Sequence, residues 1–229
     1  MPADLGTVLL TGGASGLGAA VADAVEQRGG TPVVLDRRPP REGLAFFEVD
    51  VSDTRAVEDA VERAAEQHGG IRGVVTAAGT DSCGRLEDVS PQAWERVVMV
   101  NLLGTVAVVR AALPHLERSG GHVVTVGSTL GLRALSDATA YCASKFGVVG
   151  FTRALAAETA GRIGVTLLVP GGMQTSFFDD RDPKYKPPPE AYLAPPEEVA
   201  EAVVFALGRP PGVEVRELVF CPSTETSWP

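Results

Sequence analysis

The chain has 229 residues, of which 45% are apolar, and a formal net charge of −9. That length and apolar content suit a single α/β domain spanning 1–229 and exclude wholesale disorder. The acidic balance argues against nucleic acid or an anionic membrane as main partner, but leaves room for a small ligand at a local basic spot.

Thr7 to Leu10 is a short apolar, β-branched run closed by Thr11-Gly12-Gly13, which predicts a buried parallel strand. A helix follows over Gly16 to Glu26, stopped by Gly29-Gly30, and then a second strand over Thr31 to Leu35 ending at Asp36. Ala45 to Val49 is the third strand; Ser52 is placed to cap a helix from Thr54 to Gln67. Ile71 to Thr76 is the fourth strand. Ser90-Pro91 opens a long helix over Gln92 to Leu116, whose interior Asn101 and Gly104 are weak helix formers that mark a positional requirement or a kink. His122 to Val126, Gly164 to Val169 and Glu217 to Cys221 are the remaining strands, with helices over Ala140 to Thr159 and Pro196 to Leu207. Strands alternating with helices predict a Rossmann-type, doubly wound parallel sheet of about seven strands, in the order 3-2-1-4-5-6-7, with helices on both faces.

Three features carry chemistry. The glycine-rich turn Gly12 to Gly18 lies between the first strand and its helix, where free backbone N–H groups and the positive dipole end suit a pyrophosphate. Asp36, at the end of the next strand, can accept hydrogen bonds from both ribose hydroxyls of NAD and would repel a 2′-phosphate. Ser15 offers no charge to that phosphate, whereas Arg37 and Arg38 beside the acid could; NAD is favoured over NADP. Third, Tyr141 and Lys145 are one helical turn apart on one face. A cation there favours the phenolate, so the tyrosine pKa is expected to fall toward the working pH. Ser128 stands thirteen positions upstream, at the C-terminal edge of the fifth strand, where ligands bind in such sheets.

With these motifs in this order the chain resembles the short-chain dehydrogenase/reductase family, in its shorter branch. Thr11-Gly12 with Gly16-Leu17-Gly18 matches the cofactor loop, Asp50-Val51 the adenine-contacting pair, and Ala77-Ala78-Gly79 the end of an Asn-Asn-Ala-Gly stretch. Asn101, Ser128, Tyr141 and Lys145 match the four catalytic positions; Pro170-Gly171, Met173 and Thr175 match the segment near the nicotinamide. The resemblance implies that Tyr141 is the general acid/base, that Lys145 lowers its pKa and holds the nicotinamide ribose, and that Ser128 binds the substrate oxygen. It implies that Asn101 holds a proton-relaying water and that Thr175 contacts the carboxamide. The implied activity is NAD(P)-dependent hydride transfer between a secondary alcohol and a ketone. Thr76 departs from the family's asparagine, and Met173 stands where a β-branched residue is usual.

Two other readings are open. A silent dinucleotide sensor or scaffold has no reason to keep the Ser-Tyr-Lys set. A sugar-nucleotide epimerase also uses Tyr-x-x-x-Lys, but this chain has no room for a second lobe. Ser176 to Pro196, rich in proline and aspartate, is expected to be a substrate lid, with Phe177 and Phe178 as an apolar wall and Asp179, Asp180, Asp182, Lys184 and Lys186 solvated. The helix after Ser144 is apolar on more than one face, which suggests a homodimer or homotetramer interface. His68, His115 and His122 are expected at the surface or as caps. Three scattered cysteines without a CxxC, and no metal-ligand spacing, imply neither disulfides nor a metal site. The first apolar run is too short for a signal or membrane span, so a cytoplasmic location is expected.

Overall fold

A computed structural model describes residues 5–228. Seven parallel strands form one sheet in the order β3-β2-β1-β4-β5-β6-β7: β1 (Thr7–Thr11), β2 (Thr31–Asp36), β3 (Ala45–Glu48), β4 (Gly73–Thr76), β5 (His122–Val126), β6 (Gly164–Pro170) and β7 (Glu217–Phe220). The strand order expected from the sequence is therefore the one observed. Successive side chains of a strand face opposite ways, and in β1 both faces are covered. Leu9 joins a core formed with α2 (Thr54–His68), α4 (Gly104–Ser119) and α5 (Thr139–Glu158). Val8 and Leu10 join the opposite core, with α1 (Gly16–Gln27) and α6 (Pro196–Leu207). Continuous apolar runs such as Val-Leu-Leu fit strands buried on both sides.

Local chemistry sets the element ends. The α2 cap is Asp53, not Ser52: its Oδ1 accepts from the N–H of Arg55 and of Ala56, both at 3.1 Å. Ser52 stands one position too early, and its hydroxyl donates to Asp50 Oδ1 at 2.7 Å. Ser90 caps α3 (Pro91–Val98), as expected, accepting from Ala93 N–H.

The long helix is not uniform. A π-helical segment, Met99–Leu103, separates α3 from α4 and contains Asn101. Both weak helix formers are positional. Gly104 lies so close to Val51 that a Cβ would meet the Val51 carbonyl oxygen at 2.9 Å. By length and apolar composition Pro91–Ser119 could cross a membrane, yet half of its most apolar window is buried within the fold.

Two histidines correct the expectation of surface positions. His122 is 7% exposed, because β5 lies mid-sheet with both faces covered; its Nε2 lies 2.7 Å from Thr166 Oγ1 on β6. His115 is likewise buried, between Glu62 of α2 and Arg118.

Candidate active site

The chain turns one way from β1 through β2 to β3 and the other way from β4 onward, so a crevice opens beyond the C-terminal ends of β1 and β4. A cleft of about 1660 Å³ occupies it. Every expected site residue lines this cleft except Asn101.

The glycine turn is tight for reasons visible atom by atom. Gly12 has φ 72°, and a Cβ there would lie 2.7 Å from the Ala78 nitrogen; a Cβ at Gly18 would lie 2.2 Å from the Gly12 carbonyl oxygen. The crossing is fastened by Thr11 Oγ1, which accepts from Ala78 N–H at 3.1 Å. No side chain caps α1, so its first N–H groups are left facing the cleft. Asp36 accepts from the N–H of Ala14 (3.0 Å) and of Arg38 (3.1 Å), which fixes its carboxylate at the end of β2 beside the glycine turn. A turn with no room for side chains, an uncapped helix start and a carboxylate one strand over together fit a dinucleotide.

That end also holds positive charge, from Arg37 and Arg38 as the sequence allowed and from Arg96, which the sequence reading did not place there. Arg38 Nη2 lies 3.4 Å from Ser15 Oγ, so the loop is offered a guanidinium after all. Arg96, from α3, donates to Asp50 Oδ2 (2.7 Å) and to Ser52 Oγ (2.5 Å). Partial burial raises the Asp50 pKa, but the Arg96 and Ser52 hydrogen bonds outweigh it and hold the carboxyl down at about 2. Arg37 lies 3.8 Å from the same carboxylate.

At the other end, α5 brings Tyr141 and Lys145 beneath Ser128, which follows β5. The Lys145 ammonium donates to the Val126 carbonyl at 2.9 Å and lies 5.7 Å from the centre of the Tyr141 ring. A Cβ at Gly131 would fall 2.8 Å from the Lys145 carbonyl oxygen, so the turn after Ser128 rests directly on α5.

Burial changes the expected titration. Enclosure of the phenol pushes the Tyr141 pKa up to about 12, against the lowering effect of the Ser128 hydroxyl. Burial also pushes Lys145 down to about 8. Placing an ammonium one turn away does not by itself make the phenol acidic, because desolvation acts on both groups and disfavours each charged form.

Asn101 lies behind the site. Its Oδ1 accepts from Thr80 N–H (2.8 Å), and its Nδ2 donates to the Thr80 carbonyl (2.9 Å) and to Ser144 Oγ (3.0 Å). The side chain therefore ties the loop after β4 to the helix turn that carries Lys145. Thr76, where the family pattern has asparagine, leaves its Oγ1 buried with no partner among the described residues.

The segment 176–196 is closed down over the tyrosine. Its ends are zipped together: Gln174 N–H donates to the Ala194 carbonyl and Ala194 N–H to the Gly172 carbonyl, both at 2.9 Å. It carries two helical turns, Ser176–Phe178 and Pro183–Tyr185. Thr175 sits on the glycine turn, its Cγ2 3.3 Å from where a Gly16 Cβ would be. Phe177 stands 5.8 Å from the Tyr141 ring and edge-on to Phe178 at 5.6 Å. Asp179, Asp180, Asp182, Lys184 and Lys186 are exposed.

Sequence reasoning missed two groups of residues here. Arg181 reaches across to Asp81, and Glu225 of the C-terminal tail accepts from Gly172 N–H at 3.0 Å, bracing the Pro170-Gly171 turn. Neither contact has a local sequence signal, since the partners are 100 and 53 positions apart.

A sequence profile of the short chain dehydrogenase family matches residues 6–186. The chain belongs to that family. The D-threitol dehydrogenase of Mycolicibacterium smegmatis is 35% identical over 217 residues, covering 86% of this chain and 84% of the relative. Among solved structures, the ligand-free aldohexose dehydrogenase of Thermoplasma acidophilum superimposes with a TM-score of 0.87 at 26% identity, covering 96% of this chain and 95% of that one. An alcohol dehydrogenase from the archaeon Thermococcus sibiricus, complexed with 5-hydroxy-NADP, gives 0.84 at 27% identity, covering 93% and 95%. As a short-chain dehydrogenase the protein is an oxidoreductase of a family that uses a nicotinamide cofactor. Among the described residues no cluster of histidine, cysteine or acidic side chains could hold a metal ion.

Proposed function

We propose that this short-chain dehydrogenase transfers a hydride between NAD(H) and a secondary alcohol or its ketone, with Tyr141 as general acid/base. The observation that carries the reading is the convergence of Tyr141, Ser128 and Lys145 at the closed end of one cleft, with the glycine turn and Asp36 at its other end. When bound, the nicotinamide cofactor supplies or accepts the hydride.

The chain's own groups do the rest. Ser128 and Tyr141 present two hydroxyls to one substrate oxygen, and both donate to it as it gains negative charge. With its pKa pushed up to about 12, Tyr141 holds its proton at neutral pH and can give it to that oxygen in ketone reduction. In the reverse direction Tyr141 accepts the proton. Lys145, anchored on the Val126 carbonyl, supports the phenolate that Tyr141 becomes on donating and must be before accepting, and would hold the ribose of the bound cofactor. Asn101 fixes the turn carrying Lys145; a water relay there would use its main-chain carbonyl, which also accepts from Thr105 Oγ1 at 2.9 Å. Phe177 and the lid exclude water from the reacting atoms.

NAD is proposed as the preferred cofactor because a carboxylate at the end of β2, Asp36, would accept from ribose hydroxyls and repel a 2′-phosphate; the Arg38 guanidinium beside Ser15 is the feature that would admit NADP. The names of the threitol and aldohexose relatives support a polyhydroxylated substrate. The chain is taken as one domain over 1–229, with 176–196 as its lid. Phe146, Met99 and Leu103 are exposed on the α5 side and support a homodimer or homotetramer.

The test is a panel of D-threitol, aldohexoses, simple secondary alcohols and ketones, read by NAD(P)H absorbance, alongside thermal shifts with NAD, NADP and their reduced forms. Tyr141→Phe should abolish turnover and leave NADH binding intact. Retained turnover in that variant would overturn the catalytic assignment, and a larger shift with NADPH than with NADH the cofactor assignment.

A further inference from the structure

The lid is fastened by a contact that proton and hydride transfer do not themselves require. Arg181 Nη2 donates to Asp81 Oδ2 at 2.6 Å, joining the lid to the loop after β4 across the mouth of the site. Both side chains are largely sequestered, Asp81 at 7% exposure and Arg181 at 19%. The guanidinium also lies over the rings of Phe177 (5.1 Å) and Phe178 (4.6 Å), and Nη1 lies 3.4 Å from the Tyr185 carbonyl. Asp81 is held in turn: Oδ1 accepts from Ser82 N–H at 2.7 Å and Oδ2 from Cys83 Sγ at 3.2 Å. A chain of contacts thus runs from Asp81 through Arg181 to Phe177 and ends on the Tyr141 ring.

We propose that Arg181 is a positioning residue: paired with Asp81 and stacked on Phe177, it latches the 176–196 lid onto Tyr141 and so sets the shape of the substrate chamber. The proposal rests on the reading of Tyr141 as acid/base. A guanidinium suits this task because its flat face covers two rings while its edge binds a carboxylate. The latch is also releasable. Arg181 Nε is buried with no partner among the described residues, an uncompensated cost that favours opening. Substrate entry and product exit require the pair to part. A single charged hydrogen bond lets that happen on the time scale of lid motions.

The test is a double-mutant cycle of Arg181→Met, Asp81→Asn and the combined variant, with Arg181→Lys as the conservative control. The first readout is tryptic cleavage after Lys184, whose side chain is exposed but whose backbone is held in the Pro183–Tyr185 turn until the lid opens, measured with NADH present and no substrate. Loss of one charged hydrogen bond should speed cleavage by roughly tenfold in either single variant. The combined variant should be no faster than Arg181→Met, and Arg181→Lys should fall between it and the wild type. The second readout is steady-state kinetics on the fastest substrate of the panel. KM should rise by roughly tenfold while kcat holds or increases and NADH affinity stays unchanged, since the latch governs closure over the substrate only.

A merely structural role would lower NADH affinity and kcat together. Wild-type cleavage and KM in the single variants, or effects in the combined variant equal to the product of the two singles, would overturn the latch. The cleavage readout needs no turnover, so its failure is separable from failure of the Tyr141 assignment.

Discussion

Acidification should destabilise this fold through one buried imidazole. His122 is 7% exposed, and burial pushes its pKa from 6.5 down to about 4. Thr166 Oγ1 donates its only proton to the Val215 carbonyl at 2.5 Å, so it can only accept from His122 Nε2. Protonation would therefore add a second N–H at Nδ1, packed so closely on Gly164 that a Cβ there would lie 2.1 Å away. The folded pKa is below the unfolded value, so the unfolded chain binds the extra proton in the interval between them. The stability that His122 contributes is then complete above pH 6.5 and is lost as pH falls toward 4. Integrating over that interval, about 2 kcal/mol should disappear between pH 8 and pH 5. The comparison is with His122→Gln, whose amide nitrogen can reach Thr166 and does not titrate. Urea melts of both proteins at pH 8 and pH 5 give the difference, and carboxylates with depressed values, Asp50, Glu217 and Glu225, cancel because both proteins carry them. Equal pH dependence in the two proteins would refute the argument.

Other predictions follow from single contacts. Asn101→Ala leaves the Thr80 N–H and carbonyl without their partner and frees Ser144. It should cost about 2–4 kcal/mol in denaturant melts, and lower kcat by releasing the Lys145 turn. Gly18→Ala puts a methyl 2.2 Å from the Gly12 carbonyl oxygen, so the turn must open; NADH binding by fluorescence should weaken by more than about tenfold while the far-UV spectrum keeps its shape. Thr76→Val removes a buried, unpartnered hydroxyl at nearly constant volume, and should be neutral or stabilise by up to about 1 kcal/mol; a loss of stability would mean that the hydroxyl has a partner. Alcohol oxidation should accelerate as pH rises toward 8, since Tyr141 must shed its proton to act as base while Lys145 keeps its charge below about 8; a rate falling between pH 6 and pH 8 would contradict that role.

Periodicity, glycine placement and motif order determined most of this protein. Runs such as Val8-Leu9-Leu10 that are apolar on both faces fit a covered parallel sheet, and the alternation of strands with helices implied right-handed crossovers with helices on both faces. Gly12, Gly18 and Asp36 were legible because their chemistry is local: a turn too tight for a Cβ, and a carboxylate at a strand end. Tertiary structure decided what depends on distant partners. Whether Tyr141 titrates below or above 10 is set by the desolvation of its surroundings, not by the neighbour one turn away. The Asp81–Arg181 pair, the Arg38 approach to Ser15 and the Glu225 brace join residues that no period relates. His122 reads as polar in the sequence and is buried only because β5 happens to run mid-sheet. Sequence spacing specifies which face a side chain leaves from, and only the packed chain specifies what meets it there and how much water remains.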